Sequence, residues 1–178
     1  MNAALRAERI ACQMRNLVYQ SSPDRRGVYM KEAAKAQGIQ IQQTPDFIAI
    51  TLPGLLPKRK QHVNAAFLHE PLNYVLQDYM ATHSLPLYQE CVVCFSQIYD
   101  QAGPFQRIRD YDNLEFKQLL DTIASYIMVD DSGLFCDSYH TTELGETDYT
   151  VIYVMGKSYF PQWLQNRRKQ LKSISEIS

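Results

Sequence analysis

No apolar run in the sequence approaches the roughly 20 residues that cross a bilayer as a helix. Residues 1–14 carry Arg6, Glu8 and Arg9 where a secretory leader would hold an apolar segment. Neither a membrane span nor a signal peptide is therefore expected, and the expected location is the cytoplasm. An excess of positive charge is also missing. The formal net charge is −1, whereas most nucleic-acid-binding domains show a clear basic surplus. Cysteine is sparse, with only Cys12, Cys91, Cys94 and Cys136, and in a cytoplasmic chain these are expected to stay reduced. Cys91-Val92-Val93-Cys94 has the form of half a zinc knuckle. It lies in a strand-like run, however, where a spacing of three sends the two thiols to opposite faces, and no second Cys/His pair matches it. Buried core cysteines are the reading that follows. The chain shows neither an internal repeat nor a low-complexity segment.

What is present is enough apolar residue, 46% of 178, to build one substantial core rather than two domains. Ile10, Met14 and Leu17 stand at helical spacing, and a second short helix over about 28–37 stops at Gly38. Phe47 to Leu52 reads as a strand ending at Pro53-Gly54, and 55–64 as a basic loop. Leu72, Val75, Leu76, Tyr79 and Met80 trace an amphipathic helix, and 87–99 is the longest strand-like run. A helix is expected from Asn113 to about Ser125, started by a capping box of Asp112 and Glu115, with Phe116, Leu120, Ile123 and Ile127 buried. Residues 135–142 and 149–155 then read as a hairpin turning at Glu143 to Glu146. A last helix carries Phe160, Trp163, Leu164 and Leu171. The order predicts an α/β (α+β) chain, a mixed sheet with packed helices. Residues 1–44 would be a helical extension, 45–156 the core, and 157–178 a terminal helix and tail.

The residues that invite chemistry are aspartates. A spacing of two aims Asp110 and Asp112 to one side of an extended backbone, with Tyr111 between them facing away and packing. About 13 residues of helix followed by about six extended residues bring Asp131 back within reach. Three carboxylates suit a hard cation such as Mg²⁺ (or Mn²⁺), which keeps coordination positions for water and phosphate, and Lys117 is the basic residue placed to steady developing charge. Each acid also has an ordinary structural use: Asp112 as a helix cap, Asp110 as a turn residue, and Asp130-Asp131-Ser132-Gly133 as a turn. Lys58-Arg59-Lys60, Arg107 and Arg109 are the candidate nucleic-acid contacts; Arg167-Arg168-Lys169 reads as a solvated helix face.

Arg109-Asp110-Tyr111-Asp112-Asn113-Leu114, then Lys117, Leu120-Asp121 and Val129-Asp130-Asp131, resembles the RusA family of Holliday junction resolvases. Ile50-Thr51-Leu52-Pro53-Gly54 and the basic stretch after it are similar to that family's first strand and loop. The chain is also similar to an uncharacterised group in Firmicutes and their mobile elements. The resemblance implies a RusA-like core and a Mg²⁺-dependent endonuclease acting in DNA recombination and repair. It implies Asp110, Asp112 and Asp131 as metal ligands and Lys117 as the helper, with four-way DNA junctions and a second copy of the chain as partners. The alternative is an inactive RusA-fold binding or assembly protein of a mobile element. Lys117 standing one residue beyond the family's position, and the added front helices, favour that alternative, so whether the chain is an enzyme stays open.

Overall fold

The computed structural model describes residues 26–57, 66–104 and 108–175, together with Ile10, Met14, Leu17 and Ser21. Those four residues are helical and exposed. The helix α1 spans Arg26–Gln37 and ends where Gly38 takes a φ of 70°, its N–H reaching the Ala34 carbonyl at 3.2 Å. A left-handed φ at a helix end is the place where glycine costs least. Strands β1 (Gln40–Gln43) and β2 (Phe47–Leu52) follow, then α2 (Ala66–Met80), β3 (Cys91–Asp100), α3 (Lys117–Ile127), β4 (Cys136–Gly145), β5 (Tyr149–Gly156) and α4 (Phe160–Ser175).

These strands form one five-stranded mixed sheet in the order β1-β2-β5-β3-β4, antiparallel except for the parallel β3–β4 pair. The expected mixed sheet with packed helices is thus present. Nine of the ten residues of β3 are buried, which is why that run reads as nearly continuous apolar sequence rather than alternation: both of its faces are covered. On one face Leu72 and Leu76 of α2 and Leu119, Ile123 and Ile127 of α3 close over Ile48, Ile50, Val93, Phe95, Ile152 and Val154. On the other, Trp163 of α4 packs on Val92, Cys94 and Met155.

Three local expectations are corrected. The helix expected from Asn113 begins at Lys117, with Phe116 at its cap position, and Tyr111–Asn113 is a separate 3₁₀ turn, so Asp112 and Glu115 form no capping box. Its buried stripe is Leu119, Ile123 and Ile127, while Phe116 and Leu120 are half-buried.

The second correction concerns the expected hairpin. β4 and β5 are not neighbours, because β3 lies between them. Two strand spacings amount to only about 9.6 Å, a gap that residues 146–148 span with ease. The link passes over the end of β3, where the Asp100 N–H donates to Asp148 Oδ1 at 2.7 Å and the Gln101 N–H to the Gly145 carbonyl at 2.9 Å. A Cβ at Gly145 would stand 2.6 Å from Ile98 Cγ2, so the crossing leaves no room for a side chain there. The third difference is β1, which lies in the stretch expected to be helical extension and adds an edge strand to β2. With the sequence Gln-Ile-Gln-Gln it carries too little apolar character to announce a strand.

Candidate functional site

The face of the sheet that meets α2 and α3 is apolar at one end and polar at the other. Strand register places Gln97 beside Thr150 of β5 and Thr142 of β4, with Phe95 and His140 side by side one step away. Two connecting segments close over this polar end. Thr150 donates its hydroxyl to the Gly54 carbonyl at 2.8 Å, and the Leu56 N–H donates to Gln97 Oε1 at 3.3 Å. Arg109 Nη1 donates to the Leu56 carbonyl at 2.8 Å, and the Glu115 N–H donates to that of Pro57 at 2.9 Å. The backbone of Leu56 therefore holds the Gln97 carboxamide on one side and the Arg109 guanidinium on the other.

Gln97 is fully buried, and its Nε2 has no hydrogen-bond partner. A buried donor left unmade costs about 1–3 kcal/mol, so this orientation is held by Oε1 at the expense of Nε2. Arg109 has no carboxylate partner among the described residues. Beside these donors stands an aromatic wall. The His140 ring lies nearly parallel to Phe95 and Tyr111 at centroid distances of 5.4 and 5.1 Å and meets Phe116 edge-on at 5.0 Å. Tyr111 also shares a 3.0 Å hydrogen bond with the Thr142 hydroxyl. Tyr111, expected to pack, thus stacks on His140 but is itself exposed, as are Asp110 and Asp112 on either side.

Burial holds the His140 imidazole below its ordinary pKa of 6.5, and its Nδ1 has no partner. Because the folded value lies under the unfolded one, the neutral ring's contribution is fully present above about pH 6.5 and is lost as pH falls below that. A His140→Phe variant is expected to lose less thermal stability than the native chain between pH 6.5 and 5. Equal slopes of Tm against pH for the two proteins would show that His140 does not carry the acid sensitivity.

The expected carboxylate cluster is not assembled. Among the described residues no three His, Cys, Asp or Glu side chains come together in a way that holds a metal. Asp110 precedes the 3₁₀ turn and Asp112 lies within it, whereas Asp131 lies in the loop before β4. Beside it, Asp130 accepts from the Ser132 hydroxyl and N–H, which hold its carboxyl below the usual range. Lys117 Nζ is paired with Asp121 at 2.8 Å, one turn along α3, and this raises its pKa. The residues expected to bind Mg²⁺ (or Mn²⁺) form no three-ligand group, and no chemistry is derived through the ion. Of the candidate nucleic-acid contacts, Lys58, Arg59, Lys60 and Arg107 lie outside the described residues, and Arg109 is turned onto the Leu56 carbonyl.

Sequence reading missed Gln97, Thr150 and Arg167. A glutamine inside a run as apolar as Cys91–Asp100 was the available signal for the first. Arg167, taken for part of a solvated basic face, instead lies over the Trp163 ring at 5.0 Å and bonds Ser96 and Thr141 at 2.7 Å each.

The chain belongs to a family of unknown function, DUF6100, whose profile matches residues 1–178. No curated protein matches it. Among solved structures it is similar to the periplasmic domain of Helicobacter pylori MotB (residues 90–256), with 9% identity over 74% of this chain and 88% of that one and a TM-score of 0.40. It is similar to a putative MotB-like protein from Desulfovibrio vulgaris, with 12% identity over 85% and 99% and a TM-score of 0.38. A third likeness is to the cell wall anchor of the T6SS from Pseudomonas aeruginosa, with 11% identity over 72% and 94% and a TM-score of 0.37.

The family match overturns the resemblance to RusA resolvases: the profile that fits residues 1–178 is that of a different family. The expectations that depended on it fall as well. They are the RusA-like character of the core, the Mg²⁺-dependent endonuclease, the inactive RusA-fold alternative, the role in recombination and repair, and branched DNA and a second copy as partners. The mobile-element grouping goes with them. The expected cytoplasmic location is withdrawn as well, since it rested on the lack of an apolar segment, which says nothing of location. Asp-Tyr-Asp-Asn followed by Asp-Asp misled because each half also serves as turn sequence, the use both have in this fold.

Proposed function

We propose that this member of the DUF6100 family is a binding domain whose ligand presents an oxyanion, a carboxylate or a phosphate, to Gln97 and Arg109 at the polar end of the sheet. The observation that carries this reading is the buried Gln97 Nε2 without a partner, coupled through Leu56 to a guanidinium that has no acidic partner among the described residues. A donor without a partner and a guanidinium without an acidic one among the described residues, joined by one backbone unit, form an acceptor-seeking arrangement, and charge-assisted bonds from arginine to such groups are the stronger kind. The stacked Tyr111 and His140 rings supply an adjoining flat apolar wall of the sort that orients small ligands.

The test uses inorganic phosphate and citrate as probe anions in thermal unfolding of the whole chain. A saturable rise in Tm is expected, since a ligand at about one hundred times its Kd adds about 2.7 kcal/mol. Arg109→Ala is expected to weaken the midpoint concentration at least roughly tenfold. Lys117→Ala, exposed and paired with Asp121 in α3, is expected to leave it unchanged. No saturable rise with either anion, or equal responses in the Arg109 and Lys117 variants, would remove the proposal.

A further inference from the structure

Cys91 opens β3 and Cys136 opens β4, and the parallel register sets the two residues directly opposite each other with their side chains on the same face. Adjacent strands lie about 4.7–4.9 Å apart, inside the span of about 4.4–6.8 Å between Cα atoms that a disulfide requires. The Cys91 thiol hydrogen-bonds Cys136, which pushes Cys91 up and lowers Cys136. Cys94 is the internal contrast. It faces the opposite side of β3, where burial raises its thiol to about 11.

We propose that Cys91 and Cys136 are an oxidant-responsive pair that closes reversibly into an intrachain disulfide. The site lies six residues along β3 from Gln97, roughly 20 Å away, and stands independently of the binding proposal. With a peroxide as the oxidant, the Cys136 thiolate attacks one peroxide oxygen and breaks the O–O bond. This gives a sulfenic acid and, after protonation, water. The Cys91 sulfur then attacks the sulfenic sulfur and expels its oxygen as a second water, so two thiols and hydrogen peroxide become one disulfide and two waters. A thiol reductant reverses it by exchange.

Access is set by the segment that precedes Cys136. Both cysteines are closed to solvent in the reduced fold, at 1% and 7% exposure, but Val129 at 53% and Leu134 at 80% mark the approach to β4 as outward-facing. Cys136 is held at that point by its N–H to the Ser132 carbonyl at 2.9 Å, and Cys91 by its N–H to the Phe135 carbonyl at 2.8 Å. Opening of this turn exposes Cys136, whose N–H it holds, to the oxidant.

The experiment treats the purified full chain with hydrogen peroxide near stoichiometric amounts, blocks the remaining thiols by alkylation, and maps peptides by mass spectrometry. The expected result is loss of two of the four thiols, a Cys91–Cys136 linked peptide lighter by two hydrogens, and restoration by dithiothreitol. The oxidised chain is expected to melt higher by roughly 5–10 °C, because the bridge closes a loop of about 45 residues in the unfolded state. Cys94→Ser should retain the link, and this keeps the test valid should Cys136→Ser fail to fold. A dimer linked through Cys12, a sulfinic acid on Cys136 without a link, or full alkylation of both thiols after oxidation would each overturn the proposal.

Discussion

Phe95→Ala is expected to lower the unfolding free energy by about 3–5 kcal/mol, the range for emptying a buried aromatic site. Phe95 has no exposed surface and sits in the interior strand β3, flanked by Ile152 of β5 and His140 of β4. Its ring meets Phe116 at 5.3 Å and His140 at 5.4 Å, so its removal takes away one side of the aromatic wall as well as core volume. Collapse into the space is limited because three regular elements frame it: α3 above and two hydrogen-bonded strands beside it. For a chain of this length the loss corresponds to a fall in Tm of roughly 6–20 °C. Urea unfolding followed at two wavelengths measures it, with Phe95→Leu expected to lose far less because most of the volume stays. A shift in midpoint worth under about 1 kcal/mol at unchanged slope would show that α3 moves to fill the gap.

The same strand shows how far the sequence could be read. Apolar periodicity places Phe47–Leu52 residue for residue, while the strand expected over 87–99 and the helix expected over 113–125 lie at Cys91–Asp100 and Lys117–Ile127 with shifted ends, and the last helix lies at Phe160–Ser175. These follow from local pattern, because burial on one face or on both imposes a spacing that the residues must keep. What periodicity leaves undetermined is which strand pairs with which. Cys136–Gly145 and Tyr149–Gly156 look like a hairpin from their short link, yet the partner of both is a strand that precedes them by some 40 residues. Everything that depends on that register was illegible for the same reason: the meeting of Cys91 with Cys136, the stacking of His140 on Phe95, and the neighbours of Gln97. The aspartates failed in the opposite way. Their spacing was legible, but three acids in reach along the chain are not three acids together: Asp110 and Asp112 belong to an exposed 3₁₀ turn, and Asp130 beside Asp131 bonds Ser132 locally.

Arg167→Met is expected to destabilise the chain by about 3 kcal/mol or more, through what it leaves behind rather than through the contact it removes. The Arg167 side chain is 11% exposed and pairs with Glu143, itself 27% exposed, on the sheet face that α4 covers. One guanidinium there bonds the Ser96 hydroxyl of β3 and the Thr141 hydroxyl of β4 while its plane lies over Trp163, so it fastens two strands to the helix. Burial lowers its pKa, but arginine stays charged in any such site, and the pair survives because Glu143 and the two hydroxyls satisfy it. Methionine retains the apolar stem yet strands the Glu143 carboxylate against α4 with the Ser96 hydroxyl, 3.2 Å away, as its remaining partner. If that stranded charge is the cause, the double variant Arg167→Met with Glu143→Leu must be more stable than Arg167→Met alone, since the second change removes the unpaired group. Losses that simply add, within about 0.5 kcal/mol, would instead place the stability in the stacking of Arg167 on Trp163. Trp163→Leu would then cost as much with methionine at position 167 as it does in the native chain only if the ion pair held α4 after all.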